Sequence, residues 1–143
     1  MSNITFQSDV QLTTQANELM PYSFAIGLKI GRNTDNQLLF CLPFQKQNIG
    51  NIFLPALHGG LINGFMQSCM TLFLHHQTPS LPLLQPVNSS IDYLRSGQPA
   101  DCFAQCTLVR QGSRIINVSG VLWQEDANKP IAVAHAHFLV PQT

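Results

Sequence analysis

Between Leu54 and Met70 the chain contains a stretch that leaves few folds open to it. Pro55 closes a loop, His58-Gly59-Gly60 opens a helix, and the helical pattern runs to about His76. Leu61, Ile62, Phe65, Met66, Cys69, Leu72 and Phe73 cover an arc too broad for a helix that lies on a surface. Such a helix has to be wrapped by other structure. Its polar line is thin: Gly60, Asn63 or Gly64, Gln67 and Thr71, small and polar residues at a spacing that lines a slot. Backbone N–H groups in the first turn of a helix lack partners and sit at the positive end of its dipole. Two glycines there let another group approach closely, so the triplet is a candidate oxyanion or anion site.

The rest of the chain offers strands to do the wrapping. Residues 8–20 have Leu12, Ala16 and Leu19 at helical spacing, and Pro21 is expected to end that short helix. Residues 23–31 and 36–43 read as strands joined by the turn-rich Arg32-Asn33-Thr34-Asp35, and a polar loop from Gln45 to Asn51 leads to the helix. The Pro-rich connector Thr78 to Pro86 cannot be helical throughout. Three alternating runs follow. Val87 to Leu94 has Val87, Ser89, Ile91 and Tyr93 on one face, and Cys102 to Arg110 has Cys102, Ala104, Cys106 and Leu108 on one face. Ile115 to Gln124 comes after a hairpin turn at Gln111-Gly112. Beyond the turn Ala127-Asn128-Lys129-Pro130, Ile131 to Val140 is the last strand. The expectation is one α+β domain over residues 1–143, with 1–21 as an N-terminal extension that includes a helix. A single buried helix requires a curved antiparallel sheet around it, and the edges of that sheet predict a dimer.

Composition points the same way. Charged residues make up 10% of the chain and apolar ones 45%, whereas an average globular chain is about 25% charged. So few charges imply a surface largely covered, most simply by a second copy of the chain. The net charge is zero and no basic cluster exists, which argues against nucleic acid as a partner. Lys46, Arg95, Arg110 and Arg114 are the cations placed to serve a phosphate, and they are scattered. The four cysteines have no C-x-x-C spacing and read as reduced core thiols of a cytoplasmic protein. No apolar run reaches membrane-spanning length, and no basic-then-apolar leader pattern opens the sequence. His75-His76 suit the negative end of the helix dipole. His135 and His137 share a strand face but have no third ligand at a suitable spacing, so no metal is expected.

Three motifs occur in order: Leu57-His58-Gly59-Gly60 opening the apolar helix, Ile91-Asp92-Tyr93-Leu94-Arg95-Ser96-Gly97, and Val109-Arg110-Gln111-Gly112. Together they resemble the PaaI-like acyl-CoA thioesterases of the hot-dog superfamily, over roughly Tyr22 to Val140. The resemblance implies a long helix wrapped by a curved antiparallel sheet, assembled as a homodimer and often as a dimer of dimers. It also implies an acyl-CoA thioester bound at the dimer interface, with coenzyme A entering as part of the substrate and no separate cofactor. By position, the Gly59 N–H would polarise the thioester carbonyl, next to Gly60, with His58 supporting the turn. Arg95, Ser96, Gly97, Gly112, Ser113 and Arg114 fall where relatives contact the pantetheine and phosphate parts of coenzyme A.

One departure bears on the chemistry. Relatives carry an Asp or Glu on the helix nine residues after the motif His, as general base or nucleophile, and here that residue is Gln67. No Asp or Glu occurs between Asp35 and Asp92, so this helix carries no carboxylate at all. A glutamine does not accept a proton near neutral pH. It still orients a water or a thioester by hydrogen bonds, with His58 and Asn51 as further orienting groups. Relatives often place Asn or Gln shortly before the His-Gly-Gly. Ile52 falls on that position and Asn51 lies one residue off, so a role for Asn51 requires a shifted loop. A Ser or Thr on the following strand often positions water. Ser89 and Ser90 are the candidates, although simple alignment puts Pro86 on one such position. Two functions therefore stand side by side. One is an acyl-CoA thioesterase working without the helix carboxylate. The other is a protein that binds an acyl-CoA or acyl carrier without hydrolysing it.

Overall fold

A computed structural model describes residues 5–46 and 59–142. Its elements are β1 (Gln7–Ser8), α1 (Val10–Leu19), α2 (Pro21–Ile26), β2 (Lys29–Arg32), β3 (Leu38–Leu42), α3 (Gly59–Gln77), β4 (Pro86–Tyr93), β5 (Cys102–Gln111), β6 (Ile115–Trp123) and β7 (Ala132–Leu139). All seven strands form one antiparallel sheet in the order β1-β2-β3-β5-β6-β7-β4.

The long helix lies against the sheet as its composition demands. From Phe65 to Leu74 only Gln67 is not buried, and α3 packs on β3, β4, β5, β6 and β7. The strand faces toward it are those that the alternation indicates. Cys102, Ala104 and Cys106 of β5, Ile116, Val118 and Leu122 of β6, and Ala132, Ala134, Ala136 and Phe138 of β7 are all buried. Small residues on the central strands let the sheet approach the helix: a Cβ added to Gly120 would stand 2.6 Å from the Met66 methyl carbon. Among the described residues no helix is long and apolar enough to cross a membrane.

The N-terminal part departs from the sequence expectation. Asp9 caps α1, its carboxylate accepting the Leu12 N–H at 3.0 Å, and α1 ends before Pro21 as expected. Residues 23–31 do not form one strand, however. Pro21 occupies the first position of α2, where its fixed φ suits a helix and its missing N–H is not required. Gly27, at φ 74°, closes α2 in the left-handed region, and the strand starts only at Lys29. The apolar run Phe24 to Leu28 therefore buries Ile26 and Leu28 from a helix and its cap rather than from a strand. β1 was also not anticipated. Its two residues pair with Arg32 and Gly31, and the preceding Phe6 ring sits 5.9 Å from that of Phe103.

β4 forms one edge of the sheet, bonded to β7 alone. It is exposed along most of its length, with Val87 and Tyr93 both about half accessible.

Candidate functional site

α3 and β4 run side by side in opposite directions, and two side-chain bonds fix their register. Near the start of α3, the Tyr93 hydroxyl donates to the Gly59 carbonyl at 2.6 Å. Further along, Gln67 Nε2 donates to Ser89 Oγ at 3.2 Å. The two repeats are commensurate over this stretch. Eight residues of helix rise about 12 Å and four residues of strand about 13 Å, so both contacts form without bending either element. Tyr93 and Ser89 fall on the strand face expected from the alternation. Ser90 and Asp92 point to the other face of the sheet, where they pair across to His135 and Val133. Asp92 is therefore not available to stand in for a carboxylate beside Gln67.

Around these contacts the surface opens in two places. At the helix start, a cleft of about 400 Å³ is lined by Gly59, Ile62, Tyr93, Leu94, Arg95, Ser96 and Gly97. A Cβ placed on Gly60 would meet nothing within 4 Å, so the first turn of α3 is open to an incoming group. Beyond Gln67, a recess of about 210 Å³ is bounded by Met20, Tyr22, Gly64, Gln67, Ser68, Thr71, Gln85 and Pro86. The structure thus brings Gly59, Arg95, Ser96 and Gly97 to one cleft at the start of α3, beside the open Gly60, and sets Gln67 against Ser89 farther along the same α3–β4 trough. His58 and Asn51 lie outside the described residues.

Gly112, Ser113 and Arg114 lie elsewhere. They close the β5–β6 hairpin, and with Arg110, Ile115, Asn117 and His137 they line a separate cleft of about 440 Å³. The ladder places them at the other end of the sheet. Ile115 pairs with Leu139, while Tyr93 pairs with Ala132, seven residues along β7 and about 23 Å away. Within one chain the six residues expected at coenzyme A fall into two groups. On that outer face His137 Nδ1 is 2.6 Å from Asn88 Oδ1. No group of three or more His, Cys, Asp or Glu that could hold a metal occurs among the described residues.

Tyr22 is among the site-lining residues that the sequence did not point to, because it lies on α2 where a strand was expected to follow. Pro21 and Gly27 were the available signal for that helix. The cysteines line neither the trough nor the recess. Burial pushes the Cys41 and Cys102 thiols up to about 12 and raises those of Cys69 and Cys106 as well, so all four stay protonated and inert near neutral pH.

A long buried helix against an antiparallel sheet, with a glycine-opened first turn facing an edge strand, defines a hot-dog thioesterase architecture. Residues 53–139 match the acyl-CoA thioesterase N-terminal domain family, and the chain belongs to it. Among solved structures, a Chromobacterium violaceum protein is 38% identical, with 94% of this chain and 93% of that one covered at a TM-score of 0.76. The PaaI protein of E. coli, from the phenylacetic acid degradation operon, has the same fold at 15% identity, 93% coverage of both chains and a TM-score of 0.75. So does a Bacillus halodurans protein crystallised with CoA, at 18% identity, 94% and 91% coverage and a TM-score of 0.74. Among curated proteins none matches the chain.

Proposed function

We infer that the protein binds an acyl-CoA thioester along the α3–β4 trough and hydrolyses it with water held by amide and hydroxyl groups. The observation that carries this reading is the Gln67–Ser89 hydrogen bond, one polar pair bridging helix and strand between the open helix start and the recess. The N–H groups of Gly59 and Gly60 point out of the first turn of α3 and would stabilise the oxyanion as water adds to the carbonyl. Gln67 Nε2 is engaged by Ser89, which leaves Gln67 Oε1 to accept from the attacking water. Departing coenzyme A takes a proton from solvent or from the water consumed, and the acid is the other product. Proximity and the oxyanion site supply the rate, without a general base. Family membership supports the thioester, and the CoA-bound Bacillus halodurans relative supports the coenzyme A half of the ligand.

The exposed β4 edge supports a homodimer in which two such strands pair antiparallel. That pairing would turn one protomer's Arg95–Gly97 end toward the end of the partner that carries its β5–β6 hairpin. The two groups of expected coenzyme A residues would then serve one ligand.

The test is thiol release from a panel of short, medium and aryl acyl-CoAs, beside the melting temperature with coenzyme A and the mass in solution. Release above background by a dimer is the expected result. A melting temperature raised by coenzyme A with no thiol release would make the protein a binding module, a role favoured by the absence of any carboxylate on α3. No response in either assay would overturn the acyl-CoA reading altogether.

A further inference from the structure

The recess beyond Gln67 has a roof that neither the motifs nor the family match assigns. α2 carries Tyr22 across to α3 and lays its phenol on Gly64. A Cβ at that position would stand 2.8 Å from Tyr22 Cζ and closer still to the hydroxyl. Gly64 lies one turn before Gln67 and two turns before Thr71 on the same face of α3. The ring therefore covers α3 on the helix-start side of Gln67 and walls the same recess that Gln67 and Thr71 line. Met20 and Pro86 also line the recess, and the buried Thr71 is its lining residue farthest along α3, one turn past Gln67.

We propose that this recess receives the acyl group and that Tyr22 limits it to short chains, of about four to six carbons. The proposal rests on the acyl-CoA reading given above. Its length limit comes from two distances. Gln67 to Thr71 is one helical turn, about 6 Å. Extended polypeptide advances about 3.6 Å per three bonds, or about 1.2 Å per bond, so about five bonds fill that depth. The volume of about 210 Å³ also lies below the 300 Å³ or so at which pockets begin to hold drug-sized ligands. A longer chain has to displace Tyr22, which is 44% exposed and is free to be pushed outward only at the loss of its seat on Gly64.

The test is a series of straight-chain acyl-CoAs from two to twelve carbons, read in two ways on wild type, Tyr22→Ala and Tyr22→Phe. Hydrolysis is followed by thiol release, and affinity by titration calorimetry for any thioester that survives intact. For the wild type, affinity or kcat/KM rises about fourfold per added carbon up to about six, as for a buried methylene, then levels or falls. Tyr22→Ala moves the break outward by two to four carbons. Tyr22→Phe, which keeps the ring, leaves it in place. A melting curve for each variant confirms that it is folded.

A wild-type profile that is flat from two to twelve carbons, or one that keeps rising to twelve, overturns the proposal. So does a folded Tyr22→Ala that leaves the break unmoved. A chain-length break seen in affinity with no hydrolysis at any length upholds the recess and overturns the hydrolase reading. Hydrolysis without a break does the reverse.

Discussion

Gln67→Glu tests whether the trough is an active site that lacks only a base. The substitution keeps the length and shape of the side chain and changes one end group. In the wild type Gln67 Nε2 donates to Ser89 Oγ at 3.2 Å. With a carboxylate in its place, the Ser89 hydroxyl rotates and donates instead, and a charge-assisted bond of this kind is stronger than the one it replaces. The new group lies midway along α3, out of reach of the dipole ends, and is only partly buried. Partial burial raises its pKa somewhat, but a carboxylate still open to solvent and hydrogen-bonded to Ser89 is ionised at pH 7. A positioned general base contributes about 10²–10⁴ in rate, equivalent to about 2.7–5.4 kcal/mol of barrier. Thiol release should therefore rise by at least about 100-fold in kcat with little change in KM. An acidic limb that the wild type lacks should appear in the pH–rate profile, with activity lost as the pH falls through the glutamate pKa. Ser89→Ala in the same background should remove part of the gain. If the folded Glu variant binds coenzyme A as the wild type does and hydrolyses no faster, the reacting carbon does not lie beside residue 67. A fall in rate would mean that the amide itself has a role that a carboxylate cannot fill.

Three further outcomes follow from contacts elsewhere in the fold. Tyr93→Phe removes the 2.6 Å bond to the Gly59 carbonyl, and the drop in kcat should be about three- to tenfold, the equivalent of one net hydrogen bond, with KM less affected. Gly120→Ala places a methyl 2.6 Å from Met66 Cε and 3.6 Å from Cys106 Sγ inside a close-packed core, and thermal denaturation should show a loss of about 1–3 kcal/mol. The buried thiols predict alkaline lability. Their folded pKa values lie above the ordinary 9.0, at about 12 for Cys41 and Cys102, so the unfolded chain releases its protons first. Stability should then be level below about pH 8 and fall as the pH rises through 9 toward 12, by at most about 1.4 kcal/mol per pH unit for each thiol. Thiol labelling at pH 8 should be slow in the native protein and complete for all four cysteines in denaturant.

The parts of this fold that were legible in the sequence are those governed by local rules. An apolar arc on one helix, period-two alternation on three strands and a Gly-bearing hairpin turn each depend on residues a few positions apart, and each appears where it was expected. The N-terminal part was misread because two signals competed over Phe24 to Leu28. An apolar alternation favoured a strand, while Pro21 and Gly27 bracketed a helix of six residues. The brackets prevailed, since each fixes a backbone angle and the alternation was too short to fix a register. The contacts that make a site were legible only in part, since alternation puts Ser89 and Tyr93 on one strand face. That Tyr93 reaches Gly59, that Ser89 meets Gln67, and that Gly112 lies a sheet length from Gly97 all follow from strand order and register. Those are properties of pairings between distant segments.

The commensurate run of α3 against β4 gives the trough a spacing that does not depend on a carboxylate at position 67. Helix and strand are tied at Gly59–Tyr93 and at Gln67–Ser89, and neither tie involves an ionised group. An amide in place of a carboxylate at position 67 therefore changes the available proton chemistry without disturbing the spacing between the helix start and the recess. A glutamine satisfies the strand hydroxyl in either orientation of its amide and introduces no charge to desolvate next to the apolar core. Geometry and basicity are separable here because different atoms supply them. In the proposed reaction the backbone of the first turn and the strand register would set where the substrate lies, and one side-chain end group how fast water attacks it. On the proposed function, position 67 is where hydrolysing a thioester and merely holding one would part.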